Sequence, residues 1–265
     1  MSSTSSLPWD VARGADEILA CETERRDRPP LTDEWAGMTV EEAYAVQDEV
    51  LRRKVASGEN VIGVKLGLTS EAKQKRMNVS SPLTGWLTDA MVLAPGQPVP
   101  QDQLIHPRAE PEIVFVLKEP LEGPGVTAES ALAAVEKVLA GVEIIDSRYR
   151  DFRFTLPDVI ADNASSAKFV LGSVEVAPDA IDLVNESVEL CSDGEVVYKG
   201  TGADVQGHPA EALALAANDL ATRGLRLEAG WIVLTGGMTD AVFAPTGSQT
   251  EARFATLGTV AVHGG

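Results

Sequence analysis

The sequence predicts an α+β fold in which helices come first and strands follow. Three observations lead to this prediction: an amphipathic segment near the start, a second segment that opens with a capping box, and a series of short β-branched apolar runs further along. The chain has 265 residues, of which 44% are hydrophobic. This is enough apolar material for a packed core, in one large domain or two small ones.

Two helices are predicted in the first quarter of the chain. Apolar residues recur at helical spacing from about residue 10 to residue 26, which predicts an amphipathic helix. Thr39 and Glu42 then have the spacing of a capping box, which predicts a second helix that extends to about Ser57. We expect both helices to act as scaffold or as oligomer surface.

The rest of the chain alternates strand-like runs with a few helices. A short helix is predicted at Thr69–Lys73, and longer ones at Ser130–Leu139 and from about Pro209 to Arg223. The predicted strands are Val61–Ser70, Ile113–Leu117, Gly141–Tyr149, Ser187–Leu190, Val196–Tyr198, Trp231–Leu234, Gln249–Phe254 and Thr259–His263.

Composition excludes several classes of partner. The chain carries 40 acidic and 22 basic residues, and the resulting net charge of -18 repels nucleic acid and anionic membrane surfaces. An anionic substrate would therefore need a site with local cations or a metal. Two cysteines, without a C-x-x-C pair, predict neither a disulfide framework nor a zinc ribbon. Because the start is polar and no apolar run is long enough to span a bilayer, we expect a cytoplasmic protein.

A pair of glutamates is the first candidate for a functional site. Glu110 and Glu112 flank Pro111 just ahead of a β-branched apolar run. In an extended chain, residues two apart point the same way, so the two carboxylates can converge. Such a pair repels unless a metal or a shared proton intervenes, and oxygen-only ligands favour Mg²⁺ or Mn²⁺ over zinc. The alternative is an edge strand with two solvated glutamates.

Two charged residues inside apolar strands are candidates to complete this site. Lys65 either reaches solvent at the strand edge or is held by an anionic site, where it could relay a proton or stabilise an enolate. Glu143 either faces solvent or is buried among its branched apolar neighbours, and a buried carboxylate needs a partner. A metal shared with Glu110 and Glu112 would be such a partner.

Two polar segments could bind the oxygen atoms of a substrate. Residues 161–169 offer an amide, two hydroxyls and a cation, or else form only a cap and a turn. The groups in question belong to Asn163, Ser165, Ser166 and Lys168. Thr235 is followed by two glycines, which allow close approach of the backbone to a ligand or else form a tight turn.

Together these segments resemble a known family. The segments are Gly63–Ser70, His106–Glu112, Glu143–Tyr149 and Ala161–Ser166. In order and spacing they are similar to the 2-hydroxypentadienoate hydratase and 4-oxalocrotonate decarboxylase family, part of the fumarylacetoacetate hydrolase superfamily. The resemblance covers roughly Thr39 to the C-terminus. It implies a fumarylacetoacetate hydrolase-like β-roll as catalytic domain, which we expect in residues 76–265, after a helical N-terminal region in residues 1–75.

The resemblance also implies the functional residues. Glu110, Glu112 and Glu143 match the positions that hold a divalent metal, usually Mg²⁺ or Mn²⁺, and Lys65 matches the active-site lysine. The residues expected to contact substrate are Thr69, Ser70, Leu83, Asn163, Ser165, Ser166, Lys168 and Thr235.

Within the family, the choice lies between hydration and decarboxylation. Hydratases typically have Pro-Asp-x-Gly where this chain has Pro82-Leu83-Thr84-Gly85. An apolar Leu83 disfavours a water nucleophile, which suits a decarboxylase that releases its dienol unhydrated. Decarboxylases also resemble this chain in having a base near Lys168, and their substrate has a second carboxylate to bind.

The expected reaction is therefore the metal-dependent decarboxylation of 2-oxohex-3-enedioate to 2-hydroxypenta-2,4-dienoate and CO₂, in the catabolism of aromatic compounds. The expected partner is thus a small oxo-dicarboxylate. The resemblance further implies a homo-oligomer and association with the hydratase that takes the product.

Three other hypotheses stay open. The nearest is a 2-hydroxypenta-2,4-dienoate hydratase of the same family, from which Leu83 separates this chain. A β-diketone hydrolase or another member of the superfamily would need a water-activating acid or base that the sequence does not place. A non-catalytic partner that stabilises a hydratase is the third, and the intact Lys65, Glu110, Glu112 and Glu143 argue against it.

Overall fold

The computed structural model describes residues 9–70, 74 and 82–265. These residues form five α-helices. They are α1 (Val11–Glu24), α2 (Val40–Ala56), α3 (Ala128–Ala133), α4 (Leu156–Ala161) and α5 (Pro209–Thr222). None of the helices in this part of the chain is both long enough and apolar enough to cross a lipid bilayer.

The strands lie almost entirely after the first two helices. They are β1 (Val61–Gly67), β2 (Leu83–Thr88), β3 (Val92–Leu93), β4 (Arg108–Leu117), β5 (Val135–Ile145), β6 (Ser166–Leu171), β7 (Ser187–Ser192), β8 (Glu195–Thr201), β9 (Ile232–Gly237), β10 (Val242–Phe243), β11 (Gln249–Phe254) and β12 (Thr259–His263).

Local signals at the helix starts explain why α1 and α2 form where the sequence predicts them. The Asp10 carboxylate accepts the backbone N–H of Arg13 at 2.9 Å. At α2, Thr39 Oγ1 accepts the N–H of Glu42 at 3.1 Å, and the Glu42 carboxylate accepts the N–H of Thr39 at 2.9 Å. This is the predicted capping box, and both helix predictions are confirmed to within two residues.

A mixed eight-stranded sheet forms the centre of the fold. Its strand order is β2-β1-β9-β4-β5-β6-β3, and β10 pairs with β4 outside this path. The long antiparallel pair of β4 and β5 places Glu110 directly opposite Glu143. A second, antiparallel sheet has the order β12-β11-β7-β8, and one large apolar cluster combines residues of both sheets and α5. The α+β class, with helices ahead of a β-rich body, is confirmed.

One predicted helix is wrong in its second half. Ser130–Leu139 is helical only as far as Ala133, and β5 begins at Val135, which pairs with Leu117 of β4. Val138 is likewise buried in the sheet. In a short buried segment, apolar residues three apart do not distinguish a helix from a strand, and here the pairing with β4 decides.

The later elements agree with the sequence, with one correction. The strands predicted after residue 187 and the helix from residue 209 are confirmed to within three residues. Thr235 and the two glycines after it do not follow β9 but form its last residues. The helix predicted at Thr69–Lys73 lies largely outside the described residues. The same is true of the boundary between residues 75 and 76, so the division into a helical region and a catalytic domain stays a prediction.

Candidate active site

Three glutamates converge where β4 and β5 run side by side. Glu110 lies opposite Glu143 in the ladder, and Glu112 follows two residues later on the same face of β4. One carboxylate oxygen from each lies within 4.8 Å of the others. Glu112 and Glu143 are fully buried and Glu110 is 7% exposed. These are not solvated glutamates of an edge strand, because β4 lies between β9 and β5.

The environment of the triad fits a hard divalent cation. Burial, followed by the charge of Glu143, raises the pKa of Glu112 well above its usual range. Glu112 Oε2 accepts the N–H of Gly236 at 2.6 Å, whereas the buried Oε1 has no hydrogen-bond partner among the described residues. Three carboxylates this close cannot all stay ionised in a dry interior without a cation. An all-oxygen donor set with an unsatisfied oxygen is suited to Mg²⁺.

Lys65 is held by this anionic cluster and does not reach solvent at the strand edge. It lies in β1 between β2 and β9, and its Nζ is 2.9 Å from Glu143 Oε2 and 3.3 Å from the carbonyl oxygen of Ala164. Although burial by itself would lower it, the pKa of Lys65 is raised by the charges of the three glutamates. The residue is therefore a cation at neutral pH.

The turn between α4 and β6 has an unusual backbone. Asn163, Ala164 and Ser165 have φ angles of 52°, 54° and 59°, and such a run in the left-handed region costs free energy for residues other than glycine. Hydrogen bonds hold the turn in place. The Asn163 amide donates to the carbonyl of Trp86 at 2.9 Å and accepts its N–H at 2.7 Å, and Ser165 Oγ donates to Asp162 at 2.9 Å.

This strained turn supplies groups to the site. It directs the Ala164 carbonyl toward Lys65. Directly after it, Ser166 Oγ donates to Glu143 Oε1 at 2.7 Å. Glu143 Oε1 thus accepts a hydrogen bond, while Oε2 forms the ion pair with Lys65 but has no hydrogen-bond partner among the described residues. These two contacts orient the carboxylate and leave Oε2 able to accept a further ligand.

A cavity of about 250 Å³ opens beside the triad. Lys65, Glu110, Leu83 and Ser165 contribute to its wall, which is otherwise largely apolar. Leu83 is 2% exposed, so it belongs to the packed wall and not to the rim. The cavity gives a small organic acid access to Lys65 and to Glu110, the one member of the triad that lines it.

Other residues expected at the substrate lie around the site in different ways. Thr235 Oγ1 donates to the carbonyl of Ile113 at 2.8 Å, so its hydroxyl links β9 to β4. Thr69 packs against Gly236, where a Cβ would collide with it, and Ser70 follows it. Asn163 uses its amide on Trp86. Contact of these residues with substrate stays a prediction.

Lys168 is not brought to the triad. It donates to the carbonyl of Ala90 at 2.9 Å and lines a separate cavity with Glu22 and Lys54. In the ladder of β5 and β6 it stands opposite Ile144, whereas Phe169 stands opposite Glu143. Because neighbouring residues of a strand face opposite sides, Lys168 points away from the face that carries Glu143.

Sequence reasoning missed a cation that does line the cavity, Arg108. Its guanidinium lies 4.0 Å from the ring centre of Phe152 and 4.2 Å from that of Phe243. The signal that could have found it is spacing. Arg108 precedes Glu110 by two residues on a strand and so shares its face.

Comparisons with known proteins agree with this architecture. A family model described as fumarylacetoacetate (FAA) hydrolase C-terminal matches residues 52–263. The chain is 44% identical, over 92% of each chain, to a 4-oxalocrotonate decarboxylase of Pseudomonas sp. (strain CF600). It is 42% identical to a 2-hydroxyhexa-2,4-dienoate hydratase of Comamonas testosteroni, over 89% of this chain and 90% of that protein. A solved 4-oxalocrotonate decarboxylase from Pseudomonas putida G7, complexed with magnesium and adipate, matches with a TM-score of 0.93 and 41% identity, over 96% of each chain.

Proposed function

This chain belongs to the fumarylacetoacetate hydrolase family, and from that premise we propose that it is a lyase that decarboxylates 2-oxohex-3-enedioate to 2-hydroxypenta-2,4-dienoate and CO₂. Sequence identity does not decide the reaction, because decarboxylase and hydratase relatives are almost equally similar. The observation that supports decarboxylation is the place of Leu83. It lines the cavity beside Lys65 and Glu110, where hydratases typically have an aspartate.

The metal that the proposal requires fits the buried triad. Glu110, Glu112 and Glu143 would hold it, and when bound it would polarise the 2-oxo group and stabilise the negative charge that develops there. Magnesium in the similar decarboxylase of Pseudomonas putida G7 supports Mg²⁺, and Mn²⁺, which accepts the same oxygen donors, remains the alternative.

The reaction shifts three electron pairs along a conjugated chain. When the bond between C5 and C6 breaks, its electrons form the C4–C5 double bond, the existing double bond shifts to C2–C3, and the 2-oxygen becomes negative. C6 leaves as CO₂ with both of its oxygens. Lys65, a buried cation in the cavity wall, would hydrogen-bond to the 2-oxygen and deliver the proton that completes the dienol.

An apolar wall protects the dienol from hydration. Leu68, Leu83 and Val159 contribute to it, and none of them can activate water. One observation favours the alternative, a 2-hydroxypenta-2,4-dienoate hydratase: the exposed carboxylate of Asp240 also lines the cavity and could act as a base.

An ultraviolet and proton-NMR time course separates the two reactions. The purified protein is given 2-oxohex-3-enedioate and Mg²⁺ in one experiment and 2-hydroxypenta-2,4-dienoate in another, with chelator controls. We expect metal-dependent CO₂ release from the diacid and no hydration of the dienoate. Conversion of the dienoate to 4-hydroxy-2-oxopentanoate would establish the hydratase instead. The Leu83→Asp variant should lose decarboxylation by at least about tenfold, because a further carboxylate beside Lys65 and Glu110 opposes the negative charge that develops on the 2-oxygen, whereas the uncharged Leu83→Asn should lose less.

We also propose that the protein forms a homo-oligomer and associates with a hydratase that consumes the dienoate. Val196, Val197 and Tyr198 support an interface, because these large apolar side chains of β8 are more than 40% exposed. Light scattering measures the molar mass of the protein alone and mixed with the hydratase. A monomer whose mass does not change in the mixture would refute both proposals.

A further inference from the structure

Arg108 lies on the same face of β4 as two glutamates of the triad. In the ladder with β5, Arg108 stands opposite Ile145 and Glu110 opposite Glu143. Same-face neighbours on a strand are about 7 Å apart. Arg108 and Glu110 both line the cavity. One wall of the cavity therefore has the carboxylate of Glu110 at one end and the guanidinium of Arg108 at the other.

The guanidinium is held by aromatic rings and not by an acid. It contacts Phe152 and Phe243, and its buried Nε has no hydrogen-bond partner among the described residues. No carboxylate in the described part of the chain forms an ion pair with it. The buried Arg148, by contrast, pairs with the carboxylate of Asp162. Among the described residues, therefore, none accepts a hydrogen bond from the guanidinium of Arg108.

A cation in this state is suited to an anionic ligand. Withdrawing a guanidinium from water costs free energy unless an anion or other acceptors compensate. Contact with aromatic rings stabilises the charge but uses none of its N–H groups. The planar fork of N–H groups matches the two oxygens of a carboxylate. In a chain with a net charge of -18, a cavity cation that has no acid partner in the described part of the chain needs an explanation, and a ligand provides one.

We propose that Arg108 binds the substrate carboxylate remote from the triad, the one lost as CO₂, and thereby selects dicarboxylates. This rests on the proposed function, which places the 2-oxo acid end at Glu110, Glu112 and Glu143. The carboxyl carbons of an extended six-carbon diacid are separated by about the same-face spacing of β4. Lys168, which the sequence suggested for this role, is directed elsewhere.

The proposal has a kinetic signature. As the bond to C6 breaks, the carboxylate becomes neutral CO₂, so the ion pair with Arg108 is stronger in the ground state than in the transition state. Arg108 then contributes affinity and not rate. Arg108→Gln should raise KM for the diacid without lowering kcat, a split that a merely structural residue would not produce.

Binding measurements test the proposal without turnover. Calorimetry of the Mg²⁺-loaded protein compares 2-oxohexanedioate with 2-oxopentanoate, saturated acids that cannot lose CO₂ by the conjugated route. Arg108→Gln should bind the diacid at least about tenfold more weakly and the monoacid unchanged, with Arg108→Lys in between. Lys168→Met, the matched control, should leave both affinities unchanged.

Three results would overturn the assignment. Arg108→Gln could bind the diacid as tightly as the unaltered protein does, or it could lose affinity for both acids equally. The third result is that Lys168→Met loses affinity for the diacid alone. Mg²⁺ affinity and melting temperature verify the fold of each variant, and Arg108→Lys serves if the glutamine variant does not fold. If Arg108→Gln weakens binding of the diacid alone but the unaltered protein releases no CO₂, the role of Arg108 stands and the decarboxylase proposal fails. If the unaltered protein releases CO₂ but Arg108→Gln binds both acids equally more weakly, the decarboxylase proposal stands and the role of Arg108 fails.

Discussion

Glu112 combines full burial, a raised pKa and an oxygen without a hydrogen-bond partner among the described residues. A buried carboxylate of this kind destabilises the folded chain unless a ligand compensates. Its other oxygen is held by the N–H of Gly236, so the side chain has a fixed direction. The triad is therefore arranged before any metal binds, because folding itself supplies the free energy that brings the three carboxylates together.

Glu112→Gln should weaken Mg²⁺ binding by at least about tenfold while the protein stays folded, because the amide removes one charge from the triad and also relieves repulsion. Isothermal titration calorimetry measures the affinity and thermal melting the stability. The exposed Glu195 supplies the control, since Glu195→Gln should change neither. Equal Mg²⁺ affinity in Glu112→Gln would remove this residue from the ligand set.

Cys21 should be chemically inert in the native protein. Its side chain is fully buried, and burial raises the pKa of the thiol to about 11, so the reactive thiolate is scarce at about pH 8. Cys191 is buried as well. A thiol reagent should find no rapidly reacting group in the folded protein and two after denaturation. Rapid native labelling at Cys21, located by mass spectrometry, would contradict this.

At the scale of elements, the turn at Asn163–Ser165 contacts β2, the neighbour of the strand β1 that carries Lys65. Its left-handed backbone is held partly by Asn163, which bonds both the N–H and the carbonyl of Trp86 in β2. A Cβ at Gly85 would lie only 2.9 Å from the Asn163 carbonyl oxygen, so β2 and the turn are in close contact. The position of the Ala164 carbonyl beside Lys65 depends on this contact.

Asn163→Ala should reduce the free energy of unfolding by about 1–3 kcal/mol, because two polar backbone groups of Trp86 lose their partner. It should also lower kcat, since relaxation of the turn removes the Ala164 carbonyl from Lys65. Denaturant unfolding and steady-state kinetics measure the two effects. Asn185→Ala, in an exposed loop, is the control. An unchanged kcat in a destabilised Asn163→Ala would limit the turn to a structural role.

Elements with strong local signals were predictable and those set by pairing were not. The capping box of Thr39 and the alternation of Glu110 and Glu112 need only neighbouring residues, and both predictions agree with the structure. The start of β5 at Val135 depends on its pairing with Leu117. The face of β6 on which Lys168 lies was unpredictable for the same reason, because it depends on the register with Ile144. Register is a property of two distant segments, and one segment does not reveal it.

At the scale of the whole molecule, the site and the surface have opposite electrostatic demands. The net charge of -18 repels a dianionic substrate at long range, while Lys65, Arg108 and the expected metal attract it inside the cavity. Salt screens the exposed charges more than the buried ones. Ionic strength should therefore change the rate of encounter more than the stability of the complex.

The value of kcat/KM for the proposed dianionic substrate should rise by about two- to threefold when ionic strength increases from about 0.01 M to about 0.15 M, because long-range repulsion is screened. Steady-state kinetics with added NaCl at constant free Mg²⁺ measures it. A monoanionic substrate provides the control and should respond less. A monotonic fall of kcat/KM for the dianion would show that local attraction, and not surface repulsion, governs capture.

The separation of Leu83 on β2 from the triad on β4 and β5 has an evolutionary consequence. If Leu83 governs the fate of the dienol, substitutions in β2 can change the reaction while the glutamates and Lys65 stay as they are. A gene duplication could then produce a decarboxylase and a hydratase from one ancestor by few steps, each intermediate retaining its metal. Near-equal similarity of this chain to relatives of both kinds is the pattern that such a history would leave.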